Sequence, residues 1–179
     1  LMRSSAASDV YKRQNPFRPT GLFETMVSRV CPYTIKGFLY YQGESDDHKP
    51  DSYYTLLTSL IKLWREKWGD DELPFIIVQL PMFKYAADPD YKHWCKIREA
   101  QMRAYKTVKN TGIAVISDCG EFNEIHPKNK VPVGERLCLQ AEKLFYGMDV
   151  KAFGPIYKSL EYKNGGIAVS YTHLTLPTI

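Results

Sequence analysis

PFIIVQL, residues 74–80, is the stretch that decides the fold. A strand with one wet face alternates apolar and polar side chains. A strand covered on both faces reads instead as an unbroken apolar run, as Phe75, Ile76, Ile77 and Val78 do here. Immediately upstream, DSYYTLLTSLIKLWREKW (51–68) repeats Tyr53, Leu57, Leu60, Ile61, Trp64 and Trp68 at helical spacing. Asp51 can cap its first turn, and Gly69 can stop it in the left-handed conformation. Downstream come a polar loop with prolines, a second helix HWCKIREAQMRAYKTV (93–108), a strand TGIAVIS (111–117) and a third helix VPVGERLCLQAEKLFYG (131–147). IKGFLYYQ (35–42) supplies an earlier strand, behind a short helix in TGLFETMVSRV (20–30).

Strands alternating with helices of this length predict an α/β fold, a parallel sheet in a three-layer α/β/α arrangement. Right-handed crossovers bring the strand-end loops QGESDD, QLPMFKY and DCGEFNEIHP to one sheet edge. The polar chemistry of the chain lies in those loops. Three strands make a thin sheet, so further N-terminal strands are expected upstream of this sequence. Beyond Gly154, PIYKSLEYKNGGIAV reads as the start of a hairpin or a second small domain.

The two ends read differently. LMRSSAASDVYKRQ (1–14) and VSYTHLTLPTI (169–179) carry no coherent periodicity and resemble translated sequencing-adapter sequence of the kind that flanks frames called on metagenomic reads. The expected organisation is therefore an adapter-like tail at 1–14, a partial α/β domain at 15–150, a β-rich segment at 151–168 and a second tail at 169–179. Setting aside Arg3, Lys12, Arg13 and Asp9 lowers the net charge from +4 to +2, which leaves no basis for a nucleic-acid partner. No apolar run is long enough for membrane insertion as a helix. The four cysteines (Cys31, Cys95, Cys119, Cys138) are widely separated, which predicts buried free thiols rather than a disulfide framework or a zinc site.

His126, in DCGEFNEIHPKNK (118–130), follows the third strand, where sheet proteins usually place chemistry. An imidazole suits a general base because it titrates near neutral pH, and Pro127 stiffens the chain after it. The bland alternative is a surface histidine in a polar loop. Asp118, Cys119, Glu121, Glu124 and His126 mix hard and soft ligands without regular spacing, so no metal is expected. Ser45 in GESDD lacks the glycine that a nucleophile elbow needs, since Asp47 holds that place.

RPTGLFETMVSRVCPYTIKGFLYYQGESD, LPFIIVQL, IREAQ and DCGEFNEIHPKNKVPVGERLCLQAEKLFYG together resemble the sialate O-acetylesterase type of carbohydrate esterase, a group of SGNH-type serine hydrolases. The resemblance covers residues 18–157 and rests on YQGES and IHPKNK…VGERL in this order and separation. It implies an incomplete SGNH-like domain whose nucleophilic serine, in a Gly-Gln-Ser-Asn type motif, lies upstream of the matched part. No such motif occurs in the chain. His126 is then the base, Glu44 the favoured acid and Gln42 an oxyanion or positioning donor, with Gly43 supporting. Many such hydrolases carry aspartate three residues before the histidine; here Asn123 stands there, and Glu124 is the nearest carboxylate in sequence. Tyr41, Tyr85 and Trp94 are expected at the substrate rim. The resemblance implies an acetylated carbohydrate substrate, no cofactor, and extracytoplasmic localisation by family habit. The fragment as given is expected to be inactive. The alternative is a non-catalytic carbohydrate-binding or scaffold protein, to which Asn123 lends weight.

Overall fold

A computed structural model of the chain describes residues 19–84 and 92–172. A helical segment, π-helical over Phe23–Val27 and α-helical over Ser28–Val30, precedes β1 (Phe38–Tyr40). Then follow α1 (Pro50–Trp68), β2 (Phe75–Gln79), α2 (Lys92–Thr107), β3 (Thr111–Val115) and α3 (Val131–Tyr146). An antiparallel hairpin, β4 (Tyr157–Lys163) and β5 (Gly166–Tyr171), ends the described chain.

The sheet has the order β1-β2-β3 and is parallel throughout, with Phe38 and Thr111 both in register with Phe75. All five residues of β2 are buried, as the unbroken apolar run predicts. Because side chains alternate across a strand, Phe75 and Ile77 face one layer and Val78 the other. Tyr53, Leu57 and Ile61 of α1 and Trp94, Ile97, Ala100 and Ala104 of α2 close over Phe75, Ile77 and Leu80. On the opposite face Val133 of α3 packs with Val78, Ala114 and Ile116. Fully burying one such side chain contributes about 1.5–3 kcal/mol, so these two clusters hold the three layers together.

The N-terminal ends of β2 and β3 are tied to α1 by Arg65. Its buried guanidinium donates to the carbonyls of Leu73 (2.9 Å), Lys109 (2.9 Å) and Asn110 (3.1 Å). Gly69 ends α1 in the left-handed region (φ 71°), as the sequence predicts. The helix start differs. Lys49 occupies the cap position and Pro50 the first turn, while Asp51 reaches out to Lys96 of α2 at 2.8 Å. Proline suits that position because the first amides of a helix have no partner inside it.

β1 is shorter than the 35–42 read from sequence. Among the described residues it pairs on one side only, and Leu39, on the face away from α1, is 57% exposed. The cysteines are free, but the expectation that they are buried fails. Cys95 and Cys138 are exposed on the outer faces of α2 and α3, and Cys31 and Cys119 are half-buried. Helical periodicity put them near core positions without deciding which side of the stripe they fall on. The hairpin turns at Asn164 (φ 51°) and Gly165 (φ 73°), the pair of left-handed residues a tight two-residue turn requires. Its second strand runs through Tyr171, past residue 168, where the sequence reading drew a boundary. Residues 1–14, read as an adapter-like tail, lie outside the described residues. Among the described residues no helix is long and apolar enough to cross a membrane.

Candidate active site

Two loops at the C-terminal edge of the sheet carry most of the residues singled out from sequence. The first leaves β1 through Tyr41, Gln42 and Gly43 into a single 3-10 turn, Glu44–Asp46. Its anchor is the Gln42 carbonyl, which accepts from Tyr53 Oη at 2.8 Å and from Gln101 Nε2 at 3.0 Å. Gln101 is fully buried, and its Oε1 accepts the Leu80 amide at 2.9 Å, joining the ends of β1 and β2 through one side chain. The Gln42 amide is engaged within this cluster. Its Nε2 donates to Asp46 Oδ2 (2.5 Å), and its Oε1 accepts from Tyr40 and Tyr53 (3.2 Å each).

This cluster is partly buried and rich in acidic neighbours. Burial, then Asp46 and Glu44, push the Tyr40 hydroxyl up to about 12. Burial, then Glu44 and Cys119, push Tyr41 to about 12. Tyr53 is also raised, by burial first, with its Gln101 hydrogen bond acting against the shift. Glu44 and Cys119 both act on Tyr41, and Lys130 Nζ lies 5.0 Å from the centre of its ring. Tyr41 therefore stands between the loop after β1 and the loop after β3.

The second loop, residues 118–130, rests on the loop after β2. Gly120 lies so close to that loop that a Cβ there would sit 2.3 Å from the Met82 carbonyl oxygen, and the Lys84 amide donates to Phe122 O at 2.8 Å. Beyond this the loop is held by its own carboxylates. Glu121 accepts from the Lys128 amide (2.8 Å) and Glu124 from the His126 amide (3.0 Å). Pro127 is buried and anchors the segment beside His126. Glu124 Oε1 also lies 3.7 Å from His126 Nδ1, beyond hydrogen-bond length. The imidazole side chain is 85% exposed. At the root of this loop Asp118 receives two hydrogen bonds from Arg136 of α3 (2.5 and 2.7 Å), which hold its carboxyl far below the usual range.

Among the described residues, then, His126 is brought to Glu124. It makes no ion pair or hydrogen bond with Glu44, which sits half-buried in the first loop, or with Asn123, at the exposed tip of the 121–124 turn. Trp94 does not reach a rim. It is 4% exposed, stacks on Phe83 with ring centres 5.3 Å apart, and donates its indole N–H to Pro81 O at 2.8 Å. Its place on the apolar stripe with Ile97 and Ala104 explains the burial. Tyr41 lies near Glu44, Cys119 and Lys130, and Tyr85 lies outside the described residues. Among the described residues no group of three or more His, Cys, Asp or Glu could hold a metal.

The sequence reading missed Tyr53, Gln101 and Asp46. The signal was present in Gln101, a polar residue set in the stripe Trp94–Ile97–Ala104, since a buried polar side chain needs designated partners.

Comparison with known proteins adds the following. The family model described as carbohydrate esterase, sialic acid-specific acetylesterase, matches residues 6–142. The sialate O-acetylesterase of Mus musculus is 30% identical over 175 residues, covering 87% of this chain and 32% of that protein. That of Homo sapiens is 31% identical over 163 residues, covering 82% and 31%. The crystal structure of a carbohydrate acetylesterase from Xanthomonas citri superposes with a TM-score of 0.79 at 34% identity, covering 86% of this chain and 36% of that one. The chain spans about a third of the length of the curated relatives it matches.

Proposed function

The chain belongs to the carbohydrate esterase family of sialic acid-specific acetylesterases, and from that premise we propose that its site hydrolyses acetyl esters on sialic acid or related acetylated sugars. The observation that carries the reading is His126, exposed at the C-terminal edge of a parallel sheet with a carboxylate against Nδ1. His126 Nε2 takes the proton of a serine hydroxyl as its oxygen attacks the acetyl carbonyl. The same proton then goes to the departing sugar oxygen, leaving an acyl-serine that water hydrolyses by the reverse sequence. Glu124 is the carboxylate that orients the imidazole in this reading. Glu44 acts from the neighbouring loop, where its charge bears on Tyr41.

The serine comes from outside these residues. Ser28 and Ser52 direct their hydroxyls to the Glu24 and Lys49 carbonyls, and Ser45 lies in the 3-10 turn with no hydrogen bond to His126. The chain alone is accordingly inactive. A second reading, a non-catalytic carbohydrate binder, draws on the engagement of the Gln42 amide within its own loop. It predicts saccharide binding without acetate release.

The test is acetate release from O-acetylated sialic acid by the product of the gene extended upstream to the length of the relatives. Hydrolysis that falls about a thousandfold or more in His126→Ala supports the proposal. Hydrolysis unaffected by that change, or none from a folded full-length product, refutes it.

A further inference from the structure

We infer that Arg136 is a positioning residue for His126: through Asp118 it closes the neck of the loop that presents the imidazole. The inference rests on the acetylesterase reading and goes beyond it, naming a residue outside the loop on which the proposed base depends.

His126 does not fix its own position. Its side chain is 85% exposed, and among the described residues the ring makes no hydrogen bond, Glu124 Oε1 standing off at 3.7 Å. The ring therefore goes where the loop backbone takes it. Residues 118–130 leave the end of β3 and return at the start of α3, so the loop is open at its base unless something joins the two elements. Arg136, on the second turn of α3, joins them three times over. Its Nη1 donates to the Val115 carbonyl at the end of β3 (2.8 Å) and to Asp118 Oδ1 (2.5 Å), and its Nη2 donates to Asp118 Oδ2 (2.7 Å). One planar guanidinium thus grips the last residue of the strand and the first of the loop. A fork of that geometry fixes direction as well as distance, which a lysine ammonium does not.

The rest of the loop is braced elsewhere. Gly120 and Phe122 meet residues 82–84, which holds the flank of the loop but not its neck. Glu121 and Glu124 accept the Lys128 and His126 amides farther out. The Arg136 and Asp118 side chains are themselves 33% and 66% exposed, and ion pairs so placed add little to the stability of a whole fold. A contact that joins strand end, loop start and helix while adding little to the fold has its effect on the loop. A group displaced by about 1 Å in a reacting site can lose on the order of a hundredfold in rate, so an effect on this loop is an effect on turnover.

The test has two arms. In the 179-residue chain, amide hydrogen exchange is followed by NMR at His126 and Lys128, with the buried Ile77 and Val78 of β2 as controls. Arg136→Ala should speed exchange at His126 and Lys128 severalfold and leave both β2 amides within about twofold, with Arg136→Lys falling between. Should Arg136→Ala fail to fold, Asp118→Asn takes its place with the same expectation. Unchanged exchange in the loop overturns the inference, as does an acceleration shared equally by β2, the mark of a merely structural residue. In the protein extended upstream, Arg136→Ala should lower kcat for acetate release about tenfold or more at unchanged KM, and Arg136→Lys should recover part of the loss. A loosened loop with kcat unchanged also overturns the inference. No turnover by the folded extended parent refutes the acetylesterase reading instead, and Arg136 as holder of the loop then stands or falls on exchange alone.

Discussion

The loops after β1 and after β3 lie at the same sheet edge, carry the two halves of the candidate site, and are built on opposite physical plans. The first is locked from beneath by buried polar groups of two helices, Tyr53 and Gln101, around a glycine whose backbone angle strains any other L-residue. The second is more exposed, with Ile125, Cys119 and Pro127 as its apolar footholds, Arg136 of α3 at its root, and its own carboxylates Glu121 and Glu124 bracing the rest. Polar groups fixed in advance act without having to reorganise. The proposed base, His126, has solvent access and a carboxylate neighbour in Glu124. In the proposed reading the difference between the loops is a division of labour within one site.

The comparison breaks most visibly at Gly43. Gly43→Ala places a Cβ in contact with Tyr53 and Ile97 at a backbone angle that L-residues avoid, and should destabilise the chain by about 3 kcal/mol in urea unfolding. A loss below about 1 kcal/mol would mean the loop is not locked. Gln101→Met, which leaves the Leu80 amide without its acceptor, should cost about 2 kcal/mol in the same measurement.

Alkaline pH separates the loops in a different way. Tyr40 and Tyr41 are held up to about 12, above the ordinary tyrosine value of 10.0. Their neutral forms are favoured by folding, so the unfolded chain loses these protons first. The associated stability is present in full below about pH 10 and is lost as the pH rises towards 12. After solvent screening of these half-buried rings the loss is on the order of 1 kcal/mol. Absorbance at 295 nm follows the titration, and replacing both tyrosines by phenylalanine should make the stability curve shallower between those limits, Tyr53 and Tyr105 keeping their own share of the loss. Smallest is the effect expected in the second loop. His126→Ala should change stability by less than about 0.5 kcal/mol, because the ring is exposed and its one carboxylate neighbour, Glu124, is itself half-exposed. A larger loss would make His126 a structural residue.

How much of this was legible in the sequence follows from the same contrast. The sheet was legible because Phe75–Val78 form an unbroken apolar run between two helical stripes, and burial of that kind is written in residue type. Gly69 announced the end of α1 through the one residue that accepts its backbone angle without strain. The neighbourhood of His126 was half legible. Glu124 stands two residues away, while the preference for Glu44 came from resemblance, and the geometry gives Glu124 the contact. The Tyr53–Gln101 clamp was not legible as a clamp, because its partners are separated by 48 residues and meet only once α1 and α2 pack on one face. Trp94 was misplaced for a related reason: an aromatic residue near a loop reads alike whether it faces solvent or, as here, the core.

We propose that these residues supply the base of an acetylesterase site whose nucleophile comes from outside them. The most direct measurement is acetate release from O-acetylated sialic acid by the purified 179-residue chain, run beside its His126→Ala variant. No release above buffer is expected from either protein. Release by the parent chain that disappears in the variant would place the nucleophile within this sequence and contradict it.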